Sequence, residues 1–244
     1  MKSEYTVLPA FYDILNSDVD YEKYADYLST FFDVKGSNLL DLGCGTGDLS
    51  LIFATRGARV LGLDASFEML TLAQHKADKK GLDVFYTCQD MTSFTTSRQY
   101  DAVISTFDSL NYLKSKTDLD RTFQSVYSEL KDGGVFLFDM NSEYKFTHVY
   151  KDNSYVLEND GVFCAWENYF DEKNKKCHFY INIFAEEKGK YTRYYEEQTQ
   201  KMFLLKDIKA SLKKCGFTLE NVYSDFDKNE ITKTTERYYF VARK

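Results

Sequence analysis

The chain has 244 residues, a formal charge of −7 from 31 Lys and Arg against 38 Asp and Glu, 43% hydrophobic residues and a single proline, Pro9. At this length folding buries roughly 70 to 75% of the extended surface, enough for one large α/β core or two small ones, and 17% aromatic residues exclude the disordered class. No apolar run approaches the ~18 residues of a membrane span, no signal-peptide core stands at the start, and five scattered cysteines lack zinc-ligand spacing, so a soluble, cytoplasmic, metal-free protein is expected.

Two short helices open the reading, the second with Tyr24, Tyr27, Leu28 and Phe31 at helical spacing. Strands follow at 38–43, 58–64, 82–88, 100–105 and 134–139, with helices at 48–56, 66–80 and 118–131 between them. Ser66 suits an N-cap and Gly81 a C-terminal stop, and Asp132, Gly133 and Gly134 are expected to end the third helix. This alternation predicts a parallel sheet covered on both faces. From 161 the period becomes two: strands at 161–170 and 177–184 flank the polar turn DEKNKK, and 191–202 reads as a third strand. Cys177, Phe179, Ile181 and Ile183 share one face there, and His178, Tyr180 and Asn182 the other. A helix at 205–215 and strands at 217–223 and 237–242 complete the chain.

The expected organisation is therefore residues 1–141 as N-terminal helices and an α/β core, 142–204 as an inserted antiparallel sheet, and 205–244 as the last helix and a terminal strand hairpin that completes the core. Residues 1–141 carry 13 basic and 21 acidic side chains, a net of −8, and the remainder 18 and 17, a net of +1. Neither part has the basic stripe of a nucleic-acid footprint. The runs KADKK and KNKK read as a solvated helix end and a hairpin turn.

The strongest local signal is LLDLGCGTGDLS, residues 39–50, whose glycines at 43, 45 and 47 lie between a strand and a helix. Glycine is needed where backbone takes positive φ or approaches a ligand without a Cβ in the way. A dinucleotide fingerprint would place its third glycine at 48, where Asp48 stands, and no Walker-type G-K-[ST] follows. Carboxylates at 41 and 48 are ill suited to a pyrophosphate and well suited to a ligand bearing positive charge.

On these residues the chain resembles the class I S-adenosylmethionine-dependent methyltransferases, whose first motif D-L-G-C-G-T-G is similar to. The resemblance implies a seven-stranded, doubly wound, Rossmann-like α/β sheet with an inserted antiparallel β lid, and S-adenosylmethionine as cofactor. It implies that Asp41, Gly43, Cys44, Gly45 and Gly47 surround the cofactor's methionine end. Asp64 in LGLDAS would take the ribose diol, with Ala65 beside it. Met69 would pack on adenine, Asp90 in CQDM would receive the adenine amino group beside Met91, and Ser105 would complete the cofactor set. His75, His148 and His178 carry no partner motif and read as structural.

More narrowly, FYD near the start, FDSLNYL, LFDMNS and ERYYFVARK resemble a small-molecule branch that includes glycine and amino-sugar N-methyltransferases and uncharacterised bacterial relatives. The acceptor-side residues implied are Tyr12 and Tyr112, the latter where the amino-sugar enzymes carry histidine. No [DN]-P-P-[YFW] is present, which weighs against nucleic-acid bases as substrates. The expected function is methyl transfer to a small-molecule N or O acceptor by a monomer or homodimer. A tRNA methyltransferase and a non-catalytic cofactor-binding partner protein are the rivals.

Overall fold

A computed structural model describes residues 7–244; the first six residues, on which part of the expected absence of a leader rests, lie outside them. Among the described residues no helix is long and apolar enough to cross a membrane. The chain begins with α1 (Pro9–Leu15) and α2 (Tyr21–Ser29) and then alternates: β1 (Asn38–Leu42), α3 (Asp48–Thr55), β2 (Arg59–Asp64), α4 (Phe67–Lys80), β3 (Phe85–Cys88), β4 (Tyr100–Ser105), α5 (Lys116–Glu129), β5 (Leu130–Asn141). Four strands follow, β6 (Ser154–Asn159), β7 (Val162–Asp171), β8 (Lys176–Glu187) and β9 (Lys190–Lys201), then α6 (Leu205–Lys214), β10 (Thr218–Tyr223) and β11 (Arg237–Arg243).

The main sheet has the order β10-β11-β5-β4-β1-β2-β3. Its five inner-chain strands are parallel, and β11 is antiparallel to both β5 and β10. Strand side chains alternate between two apolar layers. Leu40, Leu42, Val103, Phe136, Phe138 and Phe240 pack with α5 and α6 on one face. Leu39, Ala102, Ile104, Val135, Leu137 and Val241 pack with α2 and α3 on the other. Burial on both faces is why these strands read as continuous hydrophobic runs. Chain order reverses between β1 and β4, and open sheets of this kind bind ligands at the carboxyl ends beside such a switch.

The helix caps follow their expected chemistry. The Ser66 hydroxyl accepts from Met69 N at 3.2 Å, and Gly81 ends α4 at φ +64°. The observed elements depart most from expectation around α5 and in the second sheet. The helix α5 starts at Lys116, capped by Ser115, and gives way at Leu130 to a strand that includes Asp132, Gly133 and Gly134; the register shift between Tyr100 and Ala102 absorbs these residues as a bulge. The second sheet has four strands, β6-β7-β8-β9, where the sequence predicts three.

The inner face of this second sheet, Val162, Cys164, Cys177, Phe179, Ile181 and Ile183, packs on Leu8, Phe146 and Tyr150, with Phe11, Tyr12, Ile14 and Leu15 of α1 against it. Thus α1 lies between the second sheet and the core. Lys76 on α4 bonds Asp13 of α1 and Asp48 of α3, each at 2.9 Å, while the Thr46 hydroxyl donates to Asp13 at 2.6 Å. These contacts hold α1 over the glycine-rich loop.

Candidate active site

The site is built where β1, β2, β3 and β4 end. After β1 the chain takes positive φ at all three glycines: +77° at Gly43, +52° at Gly45 and +81° at Gly47. Packing enforces the outer two, since a Cβ on Gly43 would sit 2.8 Å from Ser109 Cβ and one on Gly47 would sit 2.6 Å from the Tyr86 hydroxyl. At Gly45 a Cβ would meet nothing within 4 Å. The middle of the loop therefore faces open cavity, with backbone as its only surface.

Asp64, the last residue of β2, clamps this loop: its carboxylate accepts from Gly45 N and from Ser66 N, both at 2.9 Å. Burial pushes its pKa up, against the three backbone amides of Ser66, Gly45 and Ala65 that favour the ion. Asp41 is fully enclosed, accepts from the Ser50 hydroxyl at 2.6 Å, and is pushed by burial to about 7. The Cys44 thiol is raised well above its ordinary value by burial and by Asp41 and Asp64.

These residues open onto a cavity of about 590 Å³. Of the sequence-predicted set, Asp41, Gly43, Cys44, Gly45, Asp64, Ala65, Met69, Asp90 and Met91 line it, as do Tyr12 and Tyr112. Gly47 shapes the loop from beneath. Met69, Met91 and Leu113 contribute apolar wall, and Asp90 closes its own turn by accepting from Thr92 N at 2.8 Å. Ser105 is a correction. It is fully buried at the end of β4, its hydroxyl has no partner among the described residues, and it does not line the cavity. Thr106 and Ser109, after the strand has turned, reach the cavity instead.

The phenol of Tyr12 is raised well above its ordinary value by burial, then by Tyr21, Tyr112, Asp108 and Asp64. It stays neutral at any physiological pH. The Tyr112 hydroxyl donates to Gln198 Oε1 at 2.8 Å. The loop carrying Tyr112 is held by a network that sequence reading did not assign. Phe107 and Asp108 both lie at φ +53°, a conformation that costs non-glycine residues about 1 to 2 kcal/mol each. Asp139 at the end of β5 accepts from both amides, at 2.7 and 2.8 Å, and also from the Tyr24 hydroxyl. Arg237 spans Asp139 and Asp108. Both LFDMNS and ERYYF carried the resemblance, which was the available signal for Asp139 and Arg237.

The cavity fits the expected cofactor on three observations. Bare backbone faces it at Gly45, its wall carries Asp41, Asp48, Asp64, Asp90 and Asp118 against two cations, Lys114 and Arg121, and Leu49, Leu63, Met69, Met91 and Leu113 add apolar surface. Such a wall favours a ligand with an ammonium or sulfonium.

A seven-stranded sheet of this order, with a three-glycine loop after β1 and a carboxylate ending β2, is the architecture of a Rossmann-like methyltransferase. Residues 39–134 match the family model described as "Methyltransferase domain". Over 96% of its length the chain is 34% identical to YqeM of Bacillus subtilis (strain 168), whose name places it among methyltransferases, and covers 94% of it. The crystal structure of an S-adenosylmethionine-dependent methyltransferase from Clostridium acetobutylicum ATCC 824 superposes with a TM-score of 0.87 at 30% identity, covering 96% of both chains. A further relative, dTDP-3-amino-3,4,6-trideoxy-alpha-D-glucopyranose N,N-dimethyltransferase of Streptomyces venezuelae, is 27% identical over 67% of each chain. The chain belongs to the S-adenosylmethionine-dependent methyltransferases.

Proposed function

We propose that the protein transfers a methyl group from S-adenosylmethionine to a small-molecule N or O acceptor. The observation that carries this reading is one cavity lined by bare glycine backbone, by carboxylates and by Tyr12 and Tyr112. When bound, the cofactor supplies an electrophilic methyl carbon on a sulfonium. Asp64 takes the ribose diol from the position in which it already braces Gly45. Asp41 faces the amino-acid end, where a cationic ligand draws it into its ionised form. Met69, Met91 and Leu113 sandwich the base beside Asp90.

Methyl transfer is an in-line displacement, so the residues at the acceptor end mainly orient and exclude water, which can contribute roughly 7 to 11 kcal/mol. The rings of Tyr12 and Tyr112 present negative faces toward a sulfonium, an attraction of about 0.5 to 2 kcal/mol. An amine acceptor attacks in its neutral form, and a hydroxyl acceptor needs a nearby proton acceptor. The second sheet acts as a lid, with α1 as its inner strap. An amino-bearing small molecule agrees with the name of the Streptomyces relative. None of the five cysteines is paired, as a reducing cytoplasm would leave them.

The test is transfer of tritiated methyl from labelled cofactor into a fractionated host extract, small molecules and tRNA separated. Label in a small-molecule fraction supports the reading. Label in tRNA alone, or in nothing despite tight cofactor binding, overturns it.

A further inference from the structure

The loop 106–113 gives the cavity Thr106, Phe107, Ser109, Tyr112 and Leu113, while its other two polar side chains, Asp108 and Asn111, do not line it. Both bond to strand β9 of the second sheet instead. Asn111, fully buried, donates from Nδ2 to the carbonyl of Lys201 at 3.0 Å, and its Oδ1 accepts from Asn141 N, at the end of β5, at 2.9 Å. One partner is a backbone carbonyl and the other a backbone N–H, so the orientation of this amide is fixed from both sides. Gln200, also buried, donates from Nε2 to Asp108 Oδ2 at 2.6 Å, and its Oε1 accepts from Asn141 Nδ2 at 3.1 Å. Three amide side chains thus tie β9, the end of β5 and the loop together.

The tie carries a cost. Asn141 Oδ1 is buried with no partner among the described residues, and a buried acceptor without a donor forfeits its hydration. What the tie sets is the direction of the cavity wall. Ser109–Tyr112 form a single 3₁₀ turn, in which Asn111 N donates to Asp108 O at 2.8 Å. With about three residues per turn, successive side chains point roughly 120° apart. Fastening Asn111 to β9 and β5 therefore fixes the direction in which Tyr112 leaves the turn. Ser109, on the same turn, donates to Thr106 O at 2.7 Å and reaches Gly43 O at 3.3 Å, so the loop lies between the second sheet and the glycine-rich loop.

We propose that Asn111 and Gln200 are positioning residues that lock the loop 106–113 to the second sheet, so that the cavity wall aligns the methyl acceptor only while that sheet is seated. This deepens the methyl-transfer reading and rests on it. Neither residue lines the cavity, so both act through the loop that does. In-line displacement is sensitive to such a wall, since a misplacement of about 1 Å can cost on the order of a hundredfold in rate. Cofactor affinity is set elsewhere, by the glycine-rich loop and Asp64, and does not depend on the tie.

The experiment compares Gln200→Met, Asn111→Leu and the double variant with the wild type, using the extract fraction that takes label as acceptor and S-adenosylhomocysteine as the probe of cofactor binding. Gln200→Met keeps the length of the side chain and leaves Asp108 its bond to Arg237. Each single variant should lower kcat about tenfold with the S-adenosylhomocysteine Kd unchanged within about twofold. Because the two residues fasten one loop to one strand, the double variant should lose about as much as the larger single loss and not the product of the two. A kcat within about twofold of the wild type in Gln200→Met, a Kd that worsens by the same factor as kcat, or multiplicative losses in the double variant overturns the proposal and leaves methyl transfer standing. If Asn111→Leu does not fold, the split between kcat and Kd in Gln200→Met decides alone. If no fraction takes label from the wild type, the methyl-transfer reading falls and the positioning role falls with it.

Discussion

Asp139 accepts the backbone N–H of Asp108 at 2.8 Å, and through that bond the end of β5 fixes a residue at φ +53° in the loop that carries Tyr112. The same carboxylate also holds Phe107 N and Arg237. Strain in the loop is thus offset by charge-assisted bonds from a fully buried group. Removing Asp139 leaves the loop amides without their acceptor and Arg237 with Asp108 alone. Asp139→Ala should therefore cost about 3 to 5 kcal/mol of stability, the range for breaking a buried pair, read from the urea midpoint. A loss below 1 kcal/mol would show that the loop holds its shape without β5.

Asp64 has two duties in the geometry, bracing the glycine loop and facing the cavity. Asp64→Ala should weaken S-adenosylhomocysteine by about 1.5 to 3 kcal/mol, the range for hydrogen bonds involving a charged group. It should also lower ligand-free stability by about 1 kcal/mol, because Gly45 N and Ser66 N lose their acceptor. Calorimetry and a thermal melt separate the two. A large melting loss with unchanged affinity would make Asp64 a loop brace alone.

Asp41 gives a pH dependence with a definite sign. Burial raises it from 3.8 to about 7 in the folded chain, so folding favours its protonated form. Its contribution to stability is complete below about pH 4 and is lost as pH rises toward and through 7, by at most about 4 kcal/mol. Asp41→Asn should then match the wild type near pH 4 and be the more stable protein at pH 8, without ligand. A cationic cofactor favours the ionised form, so wild-type affinity should strengthen from pH 5.5 to 7.5 with uptake of ligand releasing a proton. The measurement is calorimetry in two buffers of different ionisation enthalpy. An affinity flat across that interval would place Asp41 out of reach of the ligand's charge.

The parts of the molecule legible in its sequence are those set by local chemistry. The glycine triplet, the Ser66 cap and the inward face of Cys177, Phe179, Ile181 and Ile183 each follow from spacing within a few residues. Strand β6 was not legible because SYVLEN is an almost wholly exposed edge strand, with no buried face to impose a period. Ser105 was misplaced because the strand's last side chain points into the core and the chain turns only after it. EEQTQ lies within the strand read at 191–202, but the burial of its alternate polar residues was not legible, since their partners come from Leu8, Tyr112 and Asp108, far away in sequence. Arg237 and Asp139 are 98 residues apart, and no local pattern announces such a pair.

The clasp of Lys76 with Asp13 and Asp48 predicts how α1 behaves. These are partly exposed pairs, worth about 0.2 to 1 kcal/mol each and weakened by salt. Lys76→Met should leave global stability nearly unchanged and raise hydrogen exchange selectively in residues 9–15. Unchanged exchange there would mean that apolar packing under the second sheet alone retains the helix.

Tyr12 separates ground-state from transition-state contact. Its ring lies between Tyr21, Tyr112, Asp108 and Asp64, and its hydroxyl stays protonated. If the ring faces the sulfonium and the hydroxyl orients the acceptor, Tyr12→Phe should lower kcat and kcat/KM together, with cofactor affinity nearly intact because the ring remains. Tyr12→Ala should impair both, since face and hydroxyl are lost. Contacts made mainly in the transition state depress kcat, whereas uniform binding shows only in KM. The apolar face of α1, Phe11, Ile14 and Leu15, packs on the second sheet. Ligand should therefore add only modest exchange protection, centred on Tyr12 and not spread over the helix. Wild-type turnover in Tyr12→Phe on an identified acceptor, with protection at position 12 unmoved on saturation, would remove Tyr12 from the site and leave it a packing residue of α1.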